Sequence, residues 1–183
     1  MPCGVWTTRT GRTGCAGSRH YSRGVPSDVP TVVFREWGKA NGFRRKGTTL
    51  YRDQDETVAV VNLQGSMYGG RYYLNVALWL KAVGDQPFPK EHHCQLHMRL
   101  AGLRPATDAG NGNEPFLDLK NGLSDDERGR QCLEALDTVV APALSGTGTL
   151  DDLRANPALV RRFLVDKDAY RLIGLPGVGM TRQ

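Results

Sequence analysis

The chain reads as an α+β protein: an N-terminal helix, a four-stranded, mainly antiparallel sheet, and C-terminal helices packed on one face of it. Three observations predict this. Apolar residues alternate with period two between about residues 48 and 100, the mark of strands with one buried side. They recur at helical spacing before and after that stretch. The two patterns are segregated along the chain, as in α+β folds, and do not take turns as in parallel α/β folds.

Val32, Val33, Phe34 and Trp37 predict a short amphipathic helix starting near Pro30, and Asn41-Gly42 is a good left-handed stop. Thr48 to Arg52 reads as the first strand, Asp53-Gln54-Asp55-Glu56 as a turn, and Thr57 to Gln64 as the second strand. Ser66 to Arg71, with its Gly69-Gly70 pair, joins this to a third strand from Tyr72 to Lys81. A loop with Pro87 and Pro89 leads to a fourth, about Cys94 to Leu100, and a Pro/Gly/Asn-rich loop follows over 104–115. Ser124 with Glu127 predicts a capping box before Cys132, Leu133, Leu136, Val139 and Val140 at helical spacing. Thr149 with Asp152 caps a second piece. Asn156 with Pro157 opens a third helix, lined by Leu159, Val160, Phe163 and Leu164 and ending at Gly174.

One domain spans 30–175. Residues 1–29 have no apolar periodicity and no hydrophobic segment of the signal-peptide kind, so they read as a disordered tail or as upstream sequence from a mis-assigned start. Residues 176–183 read as a flexible tail. Charge is uneven: Arg9, Arg12, Arg19 and Arg23 face one acid, Asp28, in the first thirty residues. The rest of the chain therefore carries only +2 of the net +5. A nearly neutral body is weak support for a polyanion partner. No apolar run is long enough to cross a bilayer. Cys3, Cys15, Cys94 and Cys132 lack any paired spacing, which suits reduced thiols in a cytoplasmic protein.

Gly42-Phe43-Arg44-Arg45-Lys46-Gly47, Leu50-Tyr51-Arg52, Val61-Asn62-Leu63-Gln64, Leu74-Asn75-Val76 and Cys94-x-x-His97-x-Arg99-Leu100 follow one another in an order and spacing of their own. In these segments the chain resembles the bacterial family called domain of unknown function 4304, over roughly residues 31–165. The resemblance implies a single α+β domain and brings with it no activity, cofactor or catalytic residue. At its front the chain departs from the family, whose members usually carry a longer helix before the Gly-Phe pair.

Period-two geometry gives a candidate working surface. If Asn62 lies opposite Asn75, then Ala59, Val61 and Leu63 share a face with Leu74, Val76 and Leu78 and build the layer for the helices. The other face carries Asn62, Gln64, Tyr73 and Asn75 at one end, Val58 and Trp79 at the other, and His97 and Arg99 from the fourth strand. It serves either as a polar binding surface with two cationic anchors or as the ordinary solvated side of an antiparallel sheet. A one-residue slip would scramble it. Arg44-Arg45-Lys46, after a helix end, is either a solvated turn complementing the helix dipole or a contact for an anionic partner, joined by Arg52 and Arg71. No aromatic interleaving of the RNA-recognition kind surrounds it, which argues against nucleic acid.

His92-His93-Cys94-x-x-His97 invites a zinc reading that strand geometry rejects. Cys94 and His97 would face opposite sides, and the Cα atoms of His93 and His97 would lie about 13 Å apart. Only residues 92–94 placed in the preceding loop would restore it. The same geometry rejects a Cys94/His97 nucleophile pair. The acids at Asp53, Asp55 and Glu56, and at Asp125, Asp126 and Glu127, sit where a turn and a helix start need them. No phosphate-loop, nucleophile-elbow, zinc-protease or dinucleotide motif is present, and Pro176 to Gly179 follows no strand.

These readings predict no cofactor and no metal, and they lean against an enzyme. The expected function is a cytoplasmic protein-interaction module, with toxin neutralisation as one such role by analogy. The alternative is a small-ligand binder or enzyme that holds an anionic substrate through His97, Arg99, Asn62 and Asn75.

Overall fold

Pro30 stands in the first turn of the first helix, Val29–Ala40 (α1), where a missing N–H leaves nothing unpaired. The computed structural model describes residues 28–104 and 114–175. α1 buries Phe34 and Trp37, and Gly42 at φ 74° turns the chain away from it. Gly38 lets the helix settle on the sheet: a Cβ there would stand 2.5 Å from Leu50 Cδ1.

Six strands follow, two more than the alternation predicts. They are Arg44–Lys46 (β1), Thr49–Asp53 (β2), Thr57–Gly65 (β3), Tyr72–Leu80 (β4), Leu96–Arg99 (β5) and Leu164–Val165 (β6). The sheet is an antiparallel meander in chain order. The central hairpin has the expected register, with Asn62 opposite Asn75, Val61 opposite Val76 and Leu63 opposite Leu74.

The two unforeseen strands lie at the sheet's edges. β1 is the basic triplet, read from sequence as a turn; Gly47 at φ 62° folds it back onto β2. Three cations show no period-two signal, yet charge on a short outer strand discourages edge-to-edge pairing with other chains. β6 falls inside the predicted third helix, which is divided into Pro157–Val160 and Lys167–Ile173. Asp166 starts the second piece, its side chain accepting from Ala169 N at 2.7 Å, while its own N–H donates to Gln95 O. The fourth predicted strand is shorter than expected. It begins at Leu96, and Leu100 already opens the short helix Leu100–Leu103 (α2).

The remaining helices lie on one face of the sheet. Asp125–Ala135 (α3) passes through a wide π turn at Leu136–Val140 into Ala141–Ala143 (α4). Pro142 follows at once, with no N–H for the carbonyl four residues back, a known cause of such widening. Leu150–Ala155 (α5), Pro157–Val160 (α6) and Lys167–Ile173 (α7) complete the layer. Leu136, Val140, Leu153, Phe163 and Ile173 meet Val61, Leu63, Val76 and Leu78 there in a continuous core. Leu133, expected to be inward, is 45% exposed on the outer side of α3.

The caps are partly as predicted. Thr149 and Asp152 exchange both bonds of a capping box, and Asn156 accepts from Leu159 N. Ser124 Oγ accepts from Glu127 N at 3.3 Å, but the Glu127 carboxylate accepts from Arg130 and Gln131 instead of returning to Ser124. Those two donors hold its pKa down at about 2. Arg128, 3% exposed, organises the segment before α3. It donates to the carbonyls of Phe116, Asp118 and Leu123 and to Asn121 Oδ1. Of the predicted tails, 1–29 and 176–183, residues 1–27 and 176–183 lie outside the described residues, as do 105–113 of the predicted loop, while Val29, placed in the tail, already opens α1.

Candidate functional site

The face of the sheet away from the helices is laid out in cross-strand rows. Gln64 and Tyr73 form the row nearest the β3–β4 turn. Next come Thr49, Asn62, Asn75 and Arg99, side by side across four strands. The third row is Tyr51, Val60, Ala77 and His97, and the fourth is Asp53, Val58 and Trp79. Strand alternation therefore brings all seven predicted face residues onto one side, but it does not leave them equivalent.

Half of this face is closed by the chain's own strap, residues 81–95. Trp79 Nε1 donates to Gly84 O at 2.8 Å, and Phe88 sets its edge on the Tyr51 ring at 5.2 Å and 84°. Cys94 completes a second small core with Tyr51, Val58, Val60 and Ala77, against which Trp79 packs. Gln95 Oε1 takes Leu80 N–H, anchoring the strap's end. Trp79 thus packs against its own loop. His97 is half-buried at the border, its Nδ1 3.3 Å from the Cys94 carbonyl oxygen.

At the open end the amides bond to one another. Asn75 Nδ2 donates to Gln64 Oε1 at 3.1 Å and Asn62 Oδ1 at 3.4 Å, and Asn62 Nδ2 donates to Thr49 Oγ1 at 2.8 Å. Asn75 is only 7% exposed, so it is part of the fold's support and not a presented group. Arg99 lies over the Tyr73 ring at 4.5 Å, a cation–π contact. The surface offered outward is Gln64, Arg99 and the rims of Tyr73 and Asn62.

The basic triplet is divided by its own pleat. Arg44 and Lys46 reach over Phe88, at 5.6 and 4.8 Å from the ring centre, and so belong to the strap side. Arg45, opposite Leu50, points to the helix side and donates to Gly47 O at 3.5 Å. The two arginines expected to join the triplet do not. Arg52 donates to Leu144 O and stacks on Phe43 on the helix side. Arg71 pairs with Asp118 at 3.2 Å.

Residues 92–94 do lie in a loop, a 3-10 turn at Glu91–His93 followed by Cys94. Among the described residues no three His, Cys, Asp or Glu side chains gather closely enough to hold a metal ion. The Cys94 thiol faces the Lys90 carbonyl at 3.5 Å; burial, with Glu91 adding to it, pushes its pKa up to about 12. Burial does the same to Cys132. Neither is a thiolate at neutral pH, and His97 meets the Cys94 backbone and not its sulfur. No described helix is long and apolar enough to cross a membrane.

Sequence reasoning missed two exposed features at the open end. Met67 and Tyr68, at the β3–β4 turn, are 88% and 85% exposed. Two large apolar residues inside a Gly-rich turn were the available signal. Beside them, Tyr73, Leu74, Arg99, Leu100 and Glu114 line a cleft of about 60 Å³, room for a few waters. Two cavities of about 290 Å³ each lie elsewhere, one beside α4 and α6 and one between α3 and the segment after Glu114.

A meander sheet with one face under helices and the other half-covered, its free half a self-bonded amide ladder, defines the class: an α+β domain with an open polar sheet face. The chain belongs to the family described as domain of unknown function (DUF4304), whose profile matches residues 35–146. No curated protein and no solved structure matches the chain. Residues after 146 still complete the core through Leu153, Phe163 and Ile173.

Proposed function

We propose that this protein is a non-enzymatic interaction module of the bacterial cytoplasm that binds another protein through the open end of its polar sheet face, in a role such as toxin neutralisation. One observation carries the reading. Asn75 donates to both Asn62 and Gln64, and none of the three amides lines the cleft beside Arg99. Such a ladder makes a firm, flat platform whose outward groups, Gln64 and Arg99, suit a protein surface. Free, buried Cys94 and Cys132 agree with a reducing compartment.

The alternative needs His97, Arg99, Asn62 and Asn75 to converge on a small anion. His97 is turned to the Cys94 carbonyl, and the cleft beside Arg99 is far smaller than a metabolite pocket. It therefore ranks second.

The test is affinity capture from native lysate with wild type, Arg99→Glu and Arg45→Glu, followed by binding of the purified pair at two salt concentrations. Arg99→Glu should slow association, more at low salt, because exposed charges steer encounter. Arg45→Glu, on the other side of the sheet, should behave as wild type. Equal retention by all three proteins sinks the reading. Finding no partner, together with a thermal shift on adding small organic anions, would favour the alternative.

A further inference from the structure

We propose that the β3–β4 turn is the anchor of this surface: Tyr68, backed by Met67, inserts into an apolar pocket of an acidic protein whose carboxylates meet Arg99 and Lys120. The inference rests on the interaction-module reading and names the contact that would dominate it.

The exposure of these two side chains is not needed to make the turn. Gly69 and Gly70, at φ 69° and 71°, supply the backbone reversal. Ser66 N donates to Arg71 O at 2.8 Å, Gly69 N to Ser66 O at 3.0 Å, and Tyr68 N to Ser66 Oγ at 3.3 Å. Small polar residues at 67 and 68 would satisfy the same geometry. Met and Tyr instead stand in water, more exposed than any other large apolar side chain among the described residues. Because the turn beneath them is hydrogen-bonded, their backbone is set before a partner arrives, and only the side-chain rotamers remain to be ordered on binding. A large aromatic on a rigid support, next to a polar platform, matches the anatomy of a binding hot spot.

Charge indicates the partner. Lys120 lies so close over Gly70 that a Cβ there would collide with it, and Arg99 stands one strand from Tyr73. Among the described residues neither pairs with a carboxylate, whereas Asp118 and Glu114 nearby are already held by Arg71 and Arg104. The tip is thus apolar with Arg99 and Lys120 on its rim, complementary to an apolar hollow ringed by acids. Arg99 and Lys120 alone are few cations for a nucleic-acid backbone, and Met67 has no role in stacking bases. Two apolar residues are also a small membrane anchor.

The experiment places a photo-crosslinking phenylalanine analogue at position 68, 64 or 133 of the full chain in its native cell. Position 133 lies on α3, on the opposite layer. The expected result is one protein adduct from position 68, mapped to an apolar segment flanked by Asp or Glu, and none from 133. With that protein purified, Tyr68→Ala should weaken Kd by 10- to 100-fold and Met67→Ala by less, both through faster dissociation. The melting temperature should stay within about 2 °C of wild type, since surface changes of this kind cost little. A Kd within twofold of wild type for Tyr68→Ala, with a partner still crosslinked from 64, overturns the anchor and leaves the platform reading standing. No protein adduct from 64 or 68 removes both. Retention on anionic vesicles, or on single-stranded oligonucleotides, that Tyr68→Ala abolishes also overturns the proposal, because it names a different partner.

Discussion

Replacing Asn75 with alanine should destabilise the domain by about 1.5–2.5 kcal/mol, while Gln64→Ala, one bond along the same ladder, should cost well under ~1 kcal/mol. The asymmetry follows from burial. Asn75 is 7% exposed and donates twice, at 3.1 and 3.4 Å. A neutral hydrogen bond contributes about 0.5–1.5 kcal/mol net, with the longer one at the low end, and the buried amide leaves a void that relaxes only in part. Gln64 is exposed, so water replaces what it loses. Urea unfolding with an unchanged m-value measures both changes, and a double-mutant cycle isolates the Asn75–Gln64 bond at about 0.5–1 kcal/mol. A loss below ~0.5 kcal/mol for Asn75→Ala, with no coupling to Gln64, would refute the ladder. The amides would then be free to meet a ligand directly, and the case for a self-satisfied platform would fail.

Gly38→Ala should lower the melting temperature by several degrees, because overpacking against Leu50 costs about 1–3 kcal/mol and outweighs the roughly 1 kcal/mol gained in helix propensity. Arg128→Met removes charge-assisted bonds to three carbonyls and one amide, an expected loss of about 3 kcal/mol or more, with faster amide exchange over 115–124 as the local readout. Cys94 and Cys132 should resist a thiol reagent at pH 8 until the chain unfolds. Their folded pKa values, raised from 9.0 to about 12, give a stabilising contribution that is whole below pH 9 and lost as the pH rises towards 12. Labelling of Cys94 itself, located by peptide mapping apart from Cys3 and Cys15, at the rate of free cysteine would show that the strap over it opens readily.

The central hairpin was legible because two signals agree in it. Val61 and Leu63 alternate on one strand and Leu74 and Val76 on the next, and Asn62 and Asn75 break both runs at points that face each other across the sheet. The helix starts were legible at Thr149 and Asn156, where the cap is a local bond. What stayed hidden is non-local. β1 and β6 are defined by their partners, since neither three cations nor two apolar residues make a pattern. The strap has no period, and Phe88 finds Tyr51 only after the chain has folded back over it. Glu127 had the right spacing for a full box but lies nearer to better donors on its own helix, Arg130 and Gln131.

The basic triplet shows why a charge cluster in sequence is a poor guide to a site. Three adjacent cations on a turn would act together, whereas on a strand they separate by face. Arg44 and Lys46 clamp Phe88, a contact worth about 0.5–1 kcal/mol each at an exposed ring, and so help hold the strap on the sheet. Arg45 is left on the helix side, where it guards the edge. Any partner approaching the polar face therefore meets at most two of the three, both already engaged. Among the described residues, the cations without a carboxylate at the open end are Arg99, over Tyr73, and Lys120, over Gly70, far apart in sequence and placed by the sheet and by the segment that Arg128 holds. The recognition proposed for this surface therefore depends on the tertiary fold at the β3–β4 turn more than on the densest run of charge in the chain.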